Sequence, residues 1–273
     1  MIKQPTASQM LAAVAMLGTL MLTGGDASAE PWFGGAFSAD IRLTHPRDPA
    51  QSLEQHLFVG DRKVRLEVAR GQERRVLIMD FAQRQAYTLS PDQQTYHQGT
   101  EGAPPPPRPF SDRLPDDADS PCTQKVAQCV RTGQGEMVNG LTTDKWEVRG
   151  KDSQGREMVQ TLWVSPDRHL VIRQMMTDGP TMDRQLLRTD QVAGRNAEVW
   201  QITSGFEGKS QSYQDWVDSK LKLVLKREVE GKTILLASKV TEGTPPEQAF
   251  VLPAGFREVA PPQPPEGAQA PGR

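Results

Sequence analysis

Two segments of 11 residues in this chain resemble each other, VNGLTTDKWEV at 138–148 and VAGRNAEVWQI at 192–202. The two copies align with an offset of 54 residues, which matches Gly140 with Gly194. The matched residues are mostly valine, glycine and tryptophan, which form turns and strands, rather than nucleophiles or metal ligands. The phrase therefore indicates the opening of a structural unit that is used twice, and not a catalytic signature.

The likeness extends beyond the phrase, because QTLWVSPDRHLVIR at 160–173 matches SYQDWVDSKLKLVLK at 212–226 with an offset of 53 residues. Each unit, 135–190 and 191–242, is predicted to hold four or five strands and shows no helical periodicity. Two copies are too few for a solenoid, which needs about three or more. We therefore expect the units to pair edge to edge and to extend one curved antiparallel sheet.

Strict alternation of apolar and polar residues predicts further strands in the first part of the chain. In RKVRLEVA at 62–69, Val64, Leu66 and Val68 share one face of a strand. A hairpin turn is predicted at Gly60-Asp61, and the segment 37–98 is predicted to be a meander of five or six strands. The chain is thus expected to be all-β.

Two proline-rich stretches interrupt or follow these strands. Segment 99–121 contains GAPPPPRPF and an acidic cluster, and is predicted to be a loop between two parts of one sheet. The cluster of Asp116, Asp117 and Asp119 lacks the glycine and the distal glutamate of a calcium loop, so a solvated charge run is expected. The tail 260–273 is predicted to be disordered.

The N-terminal residues 1–29 have the features of a secretory signal peptide. Lys3 precedes an apolar run at 10–22, and ASA at 27–29 provides a small-residue cleavage site, so the mature chain is expected to begin at Glu30. The run is shorter than the roughly 18–20 residues that span a bilayer. We expect a single domain at 30–259, exported to the periplasm, without a transmembrane anchor.

The two cysteines, Cys122 and Cys129, lie seven positions apart. In an oxidising compartment such a pair predicts one disulfide. On a straight helix their Cα atoms would be about 10.5 Å apart, too far for a disulfide, so the alternatives are a bent loop with a bridge or a helix with two free thiols. Metal binding is not expected, because no histidine lies near enough in sequence to complete a tetrahedral site.

Composition and motifs argue against several functional classes. The net charge of −2 gives no basic surface for a nucleic-acid partner. No nucleophile elbow, zinc-binding helix motif, dinucleotide fingerprint or complete phosphate-binding loop is present, and no cofactor is expected. The four histidines are scattered and are interpreted as surface residues. We expect a non-enzymatic protein, although a catalytic site assembled only in space remains an alternative.

The tryptophans and one strand face are the candidate binding residues. Their first interpretation is as aromatic and aliphatic core, and their second is as the lining of a cavity for an apolar ligand. Arg65 is either a solvated strand residue or a polar group at the mouth of that cavity. The predicted lining consists of Val64, Leu66, Val68, Ile78, Trp146, Trp163, Trp200 and Trp216.

Several of these segments together resemble a known family. The run FVGDRKVRLEV, the step from Gly140 through 142–146, and the terminal FVLPAGF at 250–256 resemble periplasmic proteins of the LolA-like half-barrel superfamily. The resemblance implies a strongly curved antiparallel sheet, or half-open barrel, with an apolar concave face covered by a lid. Members of that superfamily carry lipoproteins, bind lipid chains or serve as envelope-stress sensors.

Two functions follow as expectations. In the first, the protein shelters an acyl chain, lipid or lipoprotein in the concavity of its sheet. In the second, it is a structural, interaction or sensor protein of the envelope that docks other proteins through sheet edges and proline-rich segments.

Overall fold

The computed structural model describes residues 33–45, 48–100, 114–117, 120, 122–123, 125, 127–151, 155–177, 179–206 and 208–261. The predicted signal peptide, the tail beyond residue 261 and the polyproline run at 104–107 lie outside these residues. Strands account for 65% of the described residues and helical turns for 4%. The prediction of an all-β, strongly curved sheet is confirmed.

Sixteen strands form one unclosed sheet. Three short 3₁₀ turns lie at Pro49–Gln51, Pro91–Gln93 and Glu247–Phe250. The strands are β1 Phe37–Leu43, β2 Leu53–Gly60, β3 Lys63–Arg70, β4 Glu73–Asp80, β5 Gln85–Ser90, β6 Thr95–Gln98, β7 Gln128–Val138, β8 Leu141–Lys151, β9 Glu157–Ser165, β10 Leu170–Met176, β11 Thr181–Val192, β12 Arg195–Phe206, β13 Lys209–Asp218, β14 Val224–Val229, β15 Lys232–Glu242 and β16 Arg257–Glu258.

The order of the strands joins two meanders at the middle of the sheet. Strands β1 to β6 and strands β7 to β15 each follow chain order, and β1 pairs with β15 to connect them. Every pair is antiparallel except β6 with β16, which is parallel. The sheet therefore has β7 at one edge and the short β16 at the other.

The repeated units occupy adjacent places in the sheet. Strands β8–β11 fall in the first unit and β12–β15 in the second, and β11 pairs with β12 along the junction. Each of the two similar segments contains the tight turn with which its repeat unit begins. Asn139 and Gly140 have φ of 52° and 80°, and Ala193 and Gly194 have φ of 50° and 75°. Two positive φ values in a two-residue loop define a type I′ hairpin turn, which explains the glycine in both copies.

The pairing of the strands shows which residues lie on the same face of the sheet across most strands. Leu186, Trp200, Asp215, Arg227 and Leu235 are opposed in sequence from β11 to β15. The row continues through Leu43 and Leu53 into β1 and β2. We call the face that carries these residues the inner face and the opposite one the outer face.

The last residues of the chain cover part of the outer face. Leu252 and Phe256 pack against an apolar cluster of β4 and β5 that includes Val76, Ile78 and Leu89. The backbone N–H groups of Arg257 and Val259 donate to the carbonyl oxygens of Gln94 and Tyr96, at 2.9 and 2.8 Å. This segment contains the terminal motif FVLPAGF, which therefore closes the outer face of the first meander.

The predicted disulfide forms. Cys122 lies in a bent segment before β7 and is bonded to Cys129, the second residue of β7, with Cα atoms 5.5 Å apart. The alternative of a helix with two free thiols is excluded, because the two sulfur atoms are bonded and the Cα atoms lie within disulfide range.

Candidate functional site on the inner face

The inner face of the first meander is a filled core. Ile41, Leu57 and Leu66 are opposed or adjacent on neighbouring strands, and none of them is accessible to solvent. They pack in one cluster with residues of the second meander, including Ile172 and Trp200. The curvature of the sheet thus brings its two halves together over this region.

The inner face of β8 to β12 differs, because some of its apolar side chains are only partly covered. Five residues that oppose one another on neighbouring strands point to the inner face: Trp146, Leu162, Gln174, Met182 and Ser204. Trp146, Val148 and Met182 are half-buried, whereas Met158 and Phe206 are 37% and 52% exposed. We call the following residues the apolar patch: Trp146, Val148, Met158, Leu162, Met182 and Phe206.

A short loop covers the middle of the apolar patch. Leu114 is 2% exposed and packs with Leu162, Val164 and Val171, against which Trp146 and Met182 also pack. Residues 114–117, 120 and 122–123, which carry this leucine, are called the capping loop. Leu114 thus packs on Leu162 of the patch, while Met158 and Phe206 stay accessible.

The structure divides the eight predicted lining residues between the two faces. Val64, Leu66, Val68 and Trp200 lie in the filled core of the inner face, and Trp146 lies in the apolar patch. Ile78 lies on the outer face, since it is opposed to Arg65 and Tyr87, and it is covered by the C-terminal segment.

Trp163 and Trp216 also lie on the outer face, where each is held by charged groups. Trp163 Nε1 donates to Glu136 Oε2 at 3.0 Å, and Lys145 Nζ lies 5.1 Å from the ring centroid. Trp216 is 3% exposed and Lys226 Nζ lies 4.2 Å from its ring centroid. A cation over an aromatic face is attracted by the ring quadrupole. Trp216 also belongs to the main buried cluster, against which Trp163 packs, so both tryptophans have a structural role.

Arg65 points to the outer face and serves the C-terminal segment. Its Nη1 donates to the carbonyl oxygen of Ala249 at 3.1 Å, and its Nε donates to Glu67 at 2.7 Å. Lys63 pairs with Glu247 on the same segment. Arg65, interpreted from the sequence as either a solvated strand residue or a polar group at a cavity mouth, fastens the C-terminal segment to β3.

A buried ion pair lies on the inner face next to Trp200. Arg227 Nε and Nη2 donate to the two oxygens of Asp215 at 2.6 and 2.7 Å, and the Asp215 side chain is inaccessible to solvent. Burial alone would lower the pKa of Arg227, but the hydrogen bonds and charge of Asp215 raise it well above its ordinary value. The Arg227 side chain therefore stays charged and is held by Asp215.

A second concavity, on the outer face of β12 to β14, is polar. It has a volume of about 170 Å³ and is lined by Gln201, Ser212, Tyr213, Gln214, Glu228, Glu230 and Gly231. Gln214 Nε2 donates to Gln201 Oε1 at 3.0 Å, and Glu228 is paired with Lys226 at 2.6 Å. Its polar lining is satisfied within the sheet, so it is unsuited to an apolar ligand.

The histidines are dispersed over the fold. His56 pairs with Asp40, His45 accepts from the backbone of Asp48, and His169 pairs with Asp117 of the capping loop at 3.1 Å. His97 is only 6% exposed and lies on the inner face, opposite Thr88, so its interpretation as a surface residue is wrong. In the described part of the chain, no group of three or more His, Cys, Asp and Glu residues is arranged to hold a metal ion.

Sequence reasoning missed the methionines and Leu114 of the site. On β9, Met158, Gln160 and Leu162 lie two positions apart, and this spacing was the available sequence signal that they share one face of the strand. Elsewhere, β-bulges between Val171 and Arg173 and between Leu186 and Arg188 shift the alternation, so the inner residues cannot be counted from sequence.

Within the described residues, no helix is long and apolar enough to cross a membrane. No family model matches the chain, and no curated protein matches it. A solved structure to which it is similar is that of a "putative outer membrane lipoprotein-sorting protein domain" from Vibrio parahaemolyticus. That alignment covers 81% of this chain and 90% of the other, with 13% sequence identity and a TM-score of 0.30.

Proposed function

We propose that this protein binds an acyl chain, as part of a lipid or a lipoprotein, on the apolar patch of its inner face. The observation that carries the proposal is the contrast along one face of one sheet. Most apolar side chains on the inner face of β1 to β4 are buried, yet β8, β9 and β12 present Trp146, Met158 and Phe206 only partly covered. A monomeric soluble protein rarely leaves contiguous apolar surface accessible without a use for it.

The side chains of the patch suit a flexible linear chain. Met158 and Met182 have unbranched, polarisable side chains that adapt their shape to an apolar partner. Trp146 adds a large planar surface, and Arg131 lies 5.6 Å from its ring centroid at the rim. Binding by burial stabilises the complex by roughly 0.8 kcal/mol for each methylene removed from water, so affinity should rise with chain length.

The proposed role is non-catalytic and periplasmic, and we assign the chain to the LolA-like half-barrel proteins. The curved, unclosed sheet and the residues of the terminal motif at 250–256 support this assignment. The signal-like N-terminus and the Cys122–Cys129 disulfide support an oxidising compartment outside the cytoplasm.

The test is a titration of delipidated protein with 11-dansylundecanoic acid, followed by its fluorescence increase. Met158→Lys puts a charge on the exposed part of the patch and should weaken binding by about tenfold or more, because a charge next to a buried acyl chain loses hydration. Met175→Lys is the matched control, since Met175 is 48% exposed on the outer face of the neighbouring strand. Equal affinities of the two variants, or no saturable binding by the wild type, would refute the proposal.

A second candidate function uses the edge strand β7. This strand of 11 residues is hydrogen-bonded to β8 on one side, and no described strand lies on its other side. It exposes Val130 and Met137, which are 49% and 66% accessible. An exposed strand edge can accept a strand from a partner protein.

Photo-crosslinking in intact envelopes tests this second function. A probe at Val130 should yield a discrete protein adduct, and the adduct should be lost when Met137 is changed to Asp. A probe at Val251, which is 54% exposed in the C-terminal segment, is the matched control and should yield none. Identical adduct patterns from the two positions would rule out a specific partner at β7.

A further inference from the structure

The apolar patch ends on β12 at Phe206, and a lysine lies directly opposite this residue on β13. We propose that Lys209 holds the anionic head of the ligand, a carboxylate or a phosphate, so that the site prefers negatively charged amphiphiles to neutral acyl chains. This inference rests on the proposed binding function and names the class of ligand for that same site.

The hairpin of β12 and β13 places Lys209 beside Phe206 on the inner face. Opposed residues of an antiparallel pair point to the same face, with their Cβ atoms about 4.5–5.5 Å apart. Phe206 is 52% exposed, and Lys209 is exposed as well. The aliphatic stem of a lysine can lie along an apolar surface while its ammonium group stays in water. An acyl chain that lies on Phe206 therefore has a positive charge within reach of its end.

The charge of Lys209 is not compensated by the part of the chain that the structure describes, where it forms no ion pair and no side-chain hydrogen bond. Other cations of the inner face do have carboxylate partners. Arg131 lies 3.0 Å from Asp144, and Arg227 is bound by both oxygens of Asp215. An anion of the ligand would supply the partner that Lys209 lacks.

The position of Lys209 gives the site a direction. The patch extends from β12 across the sheet to Trp146 on β8 and Met158 on β9. Strands are spaced by about 4.8 Å, so the five gaps from β13 to β8 span about 24 Å. Three polar residues of the inner face along this path are uncharged: Gln160, Gln174 and Ser204. A head at Lys209 therefore directs the tail across the strands, over Met182 and towards Trp146.

The gain from the charge should be modest, because both the lysine and the head of the ligand remain in contact with water and salt. We therefore expect Lys209 to select between heads, and the patch itself to supply most of the affinity. A comparison of ligands that share one alkyl chain separates these two contributions.

The test is displacement of 11-dansylundecanoic acid by dodecanoate, dodecyl phosphate and dodecanol, with each inhibition constant corrected for the affinity of the probe. Lys209→Gln removes the charge and keeps a polar side chain. The ratio of the dodecanol constant to the dodecanoate constant should fall at least threefold in this variant. The dodecanol constant should not change, which shows that the patch is intact.

Lys232→Gln is the matched control. Lys232 is exposed on the inner face, opposite Val229, and lies two strands beyond β13, away from the patch. Its ratio should equal that of the wild type. A ratio that is unchanged in Lys209→Gln, or that falls equally in Lys232→Gln, would overturn the inference and leave the binding function standing.

The third ligand identifies the source of the anion. Tighter binding of dodecyl phosphate than of dodecanoate, lost in Lys209→Gln, would support a lipid phosphate as the head, and the reverse order would support a free fatty acid. If the probe does not bind to the wild type and none of the three ligands competes, the binding function fails and the inference fails with it.

Discussion

The indole Nε1 of Trp216 donates to Asp190 Oδ2 at 3.0 Å, and the same contact occurs in the preceding repeat unit. There Trp163 Nε1 donates to Glu136 Oε2, also at 3.0 Å, with the acidic residues 54 positions apart and the tryptophans 53 apart. The repeat thus preserves an interaction whose acidic partner changes from glutamate to aspartate. Each contact joins a strand of its unit to the strand that enters the unit.

The basic residue over the ring is preserved in the same way. Arg173 lies 5.9 Å from the ring centroid of Trp163, and Lys226 lies 4.2 Å from that of Trp216, at an offset of 53 residues. Each repeat unit therefore stacks a basic, an aromatic and an acidic residue on the outer face. The internal repeat therefore has a structural role, because its conserved contacts hold neighbouring strands together.

We expect the Trp216→Phe substitution to raise the pKa of Asp190. The hydrogen bond from Trp216, followed by that from the backbone of Gln191, holds the pKa of the Asp190 carboxyl below its ordinary value, against the opposing effect of burial. A carboxyl with a lowered pKa in the folded state contributes stability that is present above its unfolded pKa of about 3.9 and is lost as the pH falls through the folded value. A carbon-detected NMR titration of Asp190 measures the change.

Trp163→Phe is the control for that titration, because Trp163 contacts Glu136 and not Asp190. The pKa of Asp190 should be the same in this variant and in the wild type. A pKa that moves equally in both variants would mean that the hydrogen bond from Trp216 is not the cause.

We expect Asp215→Asn to destabilise the fold by about 3–5 kcal/mol, because it leaves the charge of Arg227 buried without its partner. The double variant Asp215→Leu/Arg227→Met removes both charges and should be clearly more stable than the single one. Urea denaturation of the three proteins gives the free energies of unfolding. A double variant that is less stable than Asp215→Asn would contradict this account of the ion pair.

We expect Gly194→Ala to destabilise the protein by about 1–2 kcal/mol. Gly194 has φ of 75°, and a Cβ there would meet no atom within 4 Å, so the cost comes from the backbone conformation and not from a clash. Gly150→Ala in β8 is the matched control, since its Cβ would make only an ordinary contact, 3.9 Å from Ala127. Thermal unfolding that lowers the midpoint equally in both variants would show that φ is not responsible.

Loss of the disulfide should have a modest effect on global stability. Cys122 and Cys129 close a loop with a sequence separation of seven, for which the chain-entropy model predicts about 2.5 kcal/mol. We therefore expect Cys122→Ser/Cys129→Ser to remain folded at 25 °C, with its near-ultraviolet circular dichroism preserved. Unfolding of this variant at 25 °C would mean that the bridge supports the sheet as a whole, beyond the capping loop.

The sequence alone determined the strands, because their signals are local. Alternation in RKVRLEVA predicts β3 with Val64, Leu66 and Val68 on one face, and the structure places all three on the inner face. The glycines at 140 and 194 mark hairpin turns because tight two-residue loops require positive φ. The disulfide between Cys122 and Cys129 was also predictable, since two cysteines in an exported chain favour one bridge.

Only the tertiary structure decided which face each candidate residue occupies and what covers it. Trp146 and Trp163 lie on neighbouring strands, yet one belongs to the apolar patch and the other to the outer face. Alternation gives two faces but does not say which one the curvature of the sheet encloses, and bulges shift the count within a strand. Leu114 reaches the patch through a non-local contact, which no pattern in the surrounding residues encodes.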